Sequence, residues 1–181
     1  MSYNSSDFEQ RLKESRIRVL CGYVDSATAS KIIFQLLSYS AIDPSEEIQL
    51  FISSYGGEHL DMMAIYDTLS TIENPVTGIC VGSVNSYATL LLAKCTKGRR
   101  FALRHSEICF SQPHAYIGAG ANQQTEIAIE AREVDVKRKV FEEELSKCTG
   151  QALETVHEDC EDGVRFTTEE ALAYGIIDEI L

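Results

Sequence analysis

The chain has 181 residues, of which 44% are hydrophobic, 24% charged and 8% aromatic, the composition of one soluble globular domain with a sizeable core. Lys and Arg number 16 against 28 Asp and Glu, a net charge of −12. That balance argues against nucleic acid or an anionic membrane as partner, because such affinity rests on cations that neutralise phosphates. No apolar run approaches the roughly 20 residues that span a bilayer. The start, Met1 to Ser6, has neither the basic nor the apolar region of a secretory signal. Six cysteines (Cys21, Cys80, Cys95, Cys109, Cys148, Cys160) form no C-x-x-C pair and sit mostly among apolar residues. They read as reduced, buried thiols in a cytoplasmic compartment, with no structural zinc, no disulfide frame and no cofactor implied.

The polar start through Glu14 carries one apolar-spaced turn around Phe8 and Leu12. Arg16 to Cys21 is short and β-branched and is expected to be a strand that Gly22 breaks. Ala29, Ile32, Ile33, Leu36 and Leu37 recur at helical spacing, with Ser26 as the expected cap. Ile48 to Ile52 is the next strand, ended by Ser53-Ser54-Tyr55-Gly56-Gly57, and Met62, Ile65, Tyr66 and Leu69 form a second helical stripe. Val76 to Val81 reads as a buried strand, followed by Gly82-Ser83 and an apolar helix containing Ala88 to Ala93. Strand and helix alternate three times, which predicts an α/β layered fold with largely parallel strands.

The second half differs. Arg100–Leu103 and Ile108–Phe110 are expected as short strands, followed by Gln112-Pro113 and a Gly/Ala-rich stretch, residues 117–122. Ile127, Ala131, Val134, Phe141 and Leu145 define one helix of roughly 25 residues, too long to lie against a small sheet along its whole length. It is expected to protrude and to need a partner chain for its apolar edge. The acidic run Glu158 to Asp162 reads as a solvated loop. Thr167 and Glu170 form a capping box that opens a last helix stopping at Gly175. Residues 1–181 are expected to be a single domain.

Two glycine-bearing turns are candidate chemistry. Ser53 to Gly57 joins a strand to a helix, where backbone N–H groups can face an anion or oxyanion, or where the chain simply needs a positive φ. Gly82-Ser83-Val84-Asn85-Ser86-Tyr87 ends a strand and starts a helix. A serine there can project into a cleft, or Ser83 caps the helix and Ser86 packs; the segment does not spell the nucleophile-elbow motif. Each histidine (His59, His105, His114, His157), taken singly, reads as a surface or packing residue.

In combination these segments resemble the proteolytic-subunit family of the caseinolytic proteases, ClpP. The resemblance is carried by Arg11-Leu12-Lys13, Ile48 to Gly57, Ala64 to Leu69, Ile79 to Gly82, Lys97 to Leu103, Gln112-Pro113, Glu130 to Glu133, Thr149-Gly150-Gln151, Glu169 to Ala171 and Tyr174 to Asp178. It implies a crotonase-like spiral of ββα units with a protruding handle, about residues 112–149, and heptameric rings that stack through their handles around a chamber. It also implies serine-peptidase chemistry on unfolded polypeptide fed in by a ring ATPase.

Carried over by position, the family serine falls on Ser86 and the oxyanion donors on Gly57 and Tyr87. The family histidine position, just before Gln112-Pro113, reads Ser111, and the family aspartate position reads Gly163, with Asp162 one residue away. The loss of the base implies a subunit that is inactive or nearly so alone, in a homo- or hetero-heptameric ring that can stack with an active paralogue, as the resemblance to ClpR-type subunits suggests. Alternatives are a working peptidase with a rearranged triad around Ser86, or a crotonase-type acyl-CoA enzyme. A short N-terminal segment implies stunted entrance loops. Gln49 beside Phe51 replaces half of an aromatic pair that receives the ATPase, which puts that docking in doubt, and Asp162 replaces a basic residue that helps link rings.

Overall fold

The structure, a computed structural model, describes residues 5–113 and 123–181. His114 and the Gly/Ala-rich stretch at 117–122 therefore lie outside the described residues. In chain order the elements are α1 (Ser5–Glu14), β1 (Ile17–Val24), α2 (Ser26–Ile42), β2 (Ile48–Gly57), α3 (His59–Thr71), β3 (Val76–Asn85) and α4 (Tyr87–Lys94). There follow β4 (Arg100–Ala102), β5 (Glu107–Cys109), α5 (Gln124–Thr149), α6 (Leu153–Asp162), β6 (Arg165–Phe166), α7 (Thr168–Tyr174) and β7 (Glu179–Ile180). The α/β class is as expected, and so is the parallel sheet: β1, β2, β3, β4 and β7 are neighbours in that order, all parallel. Only β5 and β6 pair antiparallel among the described residues.

The strands run further than their apolar cores suggest. Gly22 does not break β1 but marks a bulge, and β2 continues through Ser54, whose hydroxyl donates to the Gly22 carbonyl. In β3 the register jumps: Ile52 faces Cys80, yet Ser54 faces Val84, so β3 carries two extra residues at that point. Beyond this irregularity β3 changes neighbour. Gly78–Cys80 pair with β4, and Ser83–Asn85 pair with β5.

One face of the sheet is dry. Leu20, Ile48, Leu50 and Ile52 alternate along β1 and β2 and join Leu36 of α2, Ile65 of α3 and Leu90 to Leu92 of α4 in one core. Each such side chain contributes about 1.5–3 kcal/mol by burial. In α2 the buried set is Ala29, Ile32, Leu36 and Tyr39, a stripe of one helical face, while Leu37 turns outward. The cap of α2 is Asp25, whose carboxylate accepts from Thr28 N at 2.8 Å, not Ser26, which is the first helical residue.

α5 has 26 residues, about 39 Å of helix. Its buried residues, Phe141, Glu142 and Leu145, all lie toward its C-terminal end, and Ile127, Ile129 and Val136 are exposed. The expected solvated acidic loop is instead the end of α6, which buries Val156 and Cys160 and exposes Glu158, Glu161 and Asp162. The last helix matches the capping box, with Thr167 as cap and Gly175 as terminator.

A buried ion pair ties these ends together. Arg100 is 3% exposed; it donates to both carboxylate oxygens of Asp178, at 2.9 and 2.6 Å. It also donates to the carbonyls of Ala93 and Cys148, at the ends of α4 and α5. Burial pushes the Asp178 carboxyl up, but the Arg100 guanidinium and the Gly98 and Arg100 N–H groups outweigh it and hold it below its ordinary value of 3.8. A lowered carboxylate pKa adds stability that is complete above the unfolded value and disappears as pH falls through the folded one. Asp178→Asn is therefore expected to cost about 3 kcal/mol near neutral pH, because it strands a buried guanidinium. In denaturant titrations the gap between variant and wild type should close as pH drops below 3.8.

Candidate active site

The fork in β3 points its last residues at the junction with α4. Ser86 stands there, between strand and helix, with φ 53° and ψ −126°. A non-glycine residue in that region is strained by about 1–3 kcal/mol. Ser86 rather than Ser83 is the residue before the helix, and its side chain makes no capping bond. The chain thus lacks the elbow motif in sequence but adopts a strand–turn–helix that holds a strained serine at its apex. The conformation is held from both sides: Ser86 N donates to the Cys109 carbonyl at 3.2 Å, and Thr89 Oγ1 donates to the same oxygen at 2.8 Å.

The Gly-Gly turn lies against this apex. A Cβ built on Gly56 would come within 3.4–3.7 Å of Asn85, Ser86 and Tyr87 N. Gly57 has an ordinary φ; what it needs is room, since a Cβ there would sit 2.1 Å from the Val24 carbonyl oxygen. The turn is therefore glycine for close approach at Gly57 as well as for backbone conformation at Gly56. Gly57, Ser86, Tyr87 and Ser111 line one cleft of about 210 Å³. Tyr87 N is the first N–H of α4 and by position has no partner within the helix.

The two remaining positions come close without supplying a base or an acid. Ser86 Oγ donates to the main-chain carbonyl of Ser111 at 3.4 Å. The Ser111 hydroxyl turns away and donates to Asn85 Oδ1 at 3.1 Å. Gly163 terminates α6 in the left-handed conformation, φ 64°, and a Cβ there would be 3.9 Å from the Phe110 carbonyl, next to Ser111. A helix terminator thus stands close behind residue 111. Asp162, one residue earlier, is exposed.

The cleft also holds a histidine that its isolated position in the sequence did not mark as special. His59, the first residue of α3, lines the cleft, and its Nδ1 is 2.7 Å from the Tyr87 hydroxyl. Burial, and then the Lys137 ammonium, hold its imidazole below the ordinary 6.5, so it is neutral near pH 7. Burial pushes the Tyr87 hydroxyl up, so that it stays protonated. The signal that was available is positional: His59 follows the glycine turn at the C-terminal end of a parallel strand, where open α/β sheets place their ligands. His105 is exposed in the turn after β4, and His157 belongs to a cluster with Arg138 and Glu142 where α5 meets α6; neither lines the cleft.

NMR titration of the His59 ring is expected to give a midpoint below 6.5. Lys137→Met should raise that midpoint while leaving it under the free value, because burial persists.

A comparison with protein-family models matches the family described as Clp protease over residues 2–181, nearly the whole chain. No helix among the described residues is long and apolar enough to cross a membrane. The chain belongs to the Clp protease family and has the α/β fold of its proteolytic subunits.

Proposed function

We propose that this chain is a ClpP-type ring subunit that keeps the serine position and has lost the means of activating it. The observation that carries this reading is the hydrogen bond of Ser86 Oγ to the Ser111 carbonyl. An amide carbonyl accepts that hydrogen bond but does not take up the proton, and no imidazole bonds Ser86 among the described residues. A serine hydroxyl near pH 7 is a poor nucleophile without a positioned base. Losing the histidine of such a triad lowers kcat by about a million-fold, leaving what the oxyanion donors and binding supply. In this reading Gly57 N and Tyr87 N are those donors, Ser111 stands at the base position and Gly163 at the acid position.

Assembly into a homo- or hetero-heptameric ring, stacked or not on an active paralogue, belongs to the same proposal. Exposed apolar side chains on α2 (Phe34, Leu37, Ile42) and on α5 (Ile127, Ile129, Val136) support it, since they form faces that a lone chain leaves in water. An unfolded polypeptide is the substrate such a chamber receives. Gln49 weighs against strong ATPase docking by this subunit on its own.

A second reading, a working peptidase with a rearranged triad, is favoured by one observation: His59 is neutral and lines the same cleft as Ser86. Against it, the Ser86 hydroxyl already donates to the Ser111 carbonyl, and no hydrogen bond joins it to His59 among the described residues.

Fluorophosphonate labelling of the purified, assembled protein separates the two. Negligible labelling at Ser86 and no cleavage of fluorogenic peptides are expected. Labelling that Ser86→Ala and His59→Gln both abolish would establish the rearranged site instead. The paired change Ser111→His with Gly163→Asp is expected to raise labelling by at least about 100-fold, the contribution of a positioned base.

A further inference from the structure

We propose that the cleft between α1, β1 and α2 binds a small organic anion, an oxyanion head on an apolar body, and that Arg18 is its principal contact. The cleft is about 510 Å³, within the range of small-molecule sites, and lies on the side of β1 away from β2. Three cations line it, Arg18, Lys13 and Lys31, against one carboxylate, Glu9. A local excess of positive charge stands out on a chain whose net charge is −12. Leu12 and Val19, both exposed, give the same cleft apolar walls, and the Thr28 hydroxyl and Gln35 amide add neutral polar groups.

Arg18 is what separates this cleft from an ordinary charged surface. It is 7% exposed, and its Nε is buried with no hydrogen-bond acceptor. Its Nη2 donates to the Tyr39 hydroxyl, and its guanidinium lies 5.1 Å from the centre of that ring. Arg16 flanks the same ring at 5.3 Å, and the two arginines then differ. Arg16 pairs with Glu46 at 2.8 Å and donates to the Tyr39 and Asp43 carbonyls. Arg18 has no carboxylate partner among the described residues. A buried lysine can release its proton; a guanidinium cannot, so Arg18 carries its charge into a poorly solvated place without a counter-ion. An anion seated between Arg18, Lys13 and Lys31 supplies that counter-ion, and its apolar body covers Leu12 and Val19.

Carboxylates and phosphate esters share the recognised chemistry. Calorimetry with hexanoate, hexyl phosphate and inorganic phosphate on the assembled protein at low ionic strength distinguishes them. Saturable binding of hexanoate or hexyl phosphate is expected, whichever head is preferred, and tighter than that of inorganic phosphate, which lacks the apolar body. Added salt should weaken it. Arg18→Met should lower affinity at least about tenfold, the loss of a charge-assisted contact, and Arg18→Lys should recover part of it. Because Arg18 is buried, the exposed Lys31→Glu serves as an independent variant: binding should fall at an unchanged melting temperature. No saturable binding of either organic anion overturns the proposal. Binding that Arg18→Met and Lys31→Glu leave unchanged overturns it as well.

Discussion

Everything about the candidate site hangs on one strand serving two neighbours. β3 gives its first half to β4 and its last residues to β5, and the two extra residues opposite β2 make the change of direction possible. Had β3 stayed in register with β2 throughout, Asn85 would not pair with Cys109. The backbone that holds Ser86 from behind would then be elsewhere. The strain at Ser86 persists because this pairing, the burial of α4 from Tyr87 to Ala93 and the glycine turn packed on the apex over-determine it. The fold spends stability on holding this serine at its apex.

The same frame shows which positions around the cleft are sterically constrained and which are not. Residue 111 follows β5 and presents its main-chain carbonyl to Ser86, a contact that any side chain there would permit. Position 163 ends a helix in the left-handed conformation, where glycine is favoured over aspartate on backbone grounds alone. Glycine there suits the helix end. By contrast Gly57 cannot vary, because the Val24 carbonyl fills the space a side chain needs. Gly57, which shapes the cleft, is sterically fixed, and the side chain at residue 111 is not.

Much of this was legible from residue order. The alternation of strands and helices, the parallel sheet, the long helix from about residue 123 and the Thr167–Glu170 cap all follow from periodicity and capping chemistry, which act over a few residues. Strand ends were less legible: β1 and β2 run past Gly22 and Ser53 because pairing with a neighbour continues where apolar content stops. α6 was hidden by its own acidity, although Leu153, Val156 and Cys160 recur at helical spacing. Leu37 was assigned to the buried face of α2, and burial instead follows Leu36 and Tyr39 one turn on.

The sequence by itself determined the fold class and the family, because these rest on local pattern and ordered motifs. Only the tertiary structure decided which groups meet. It put His59 into the cleft through α3 and paired Ser86 Oγ with a carbonyl from a segment 25 residues away. It also left Arg18 buried without, among the described residues, the carboxylate that its neighbour Arg16 has. Such meetings depend on distances between elements far apart in the chain, and periodicity carries no information about those. The acidity that marks the chain as a whole is an average, and the structure shows where it is locally reversed.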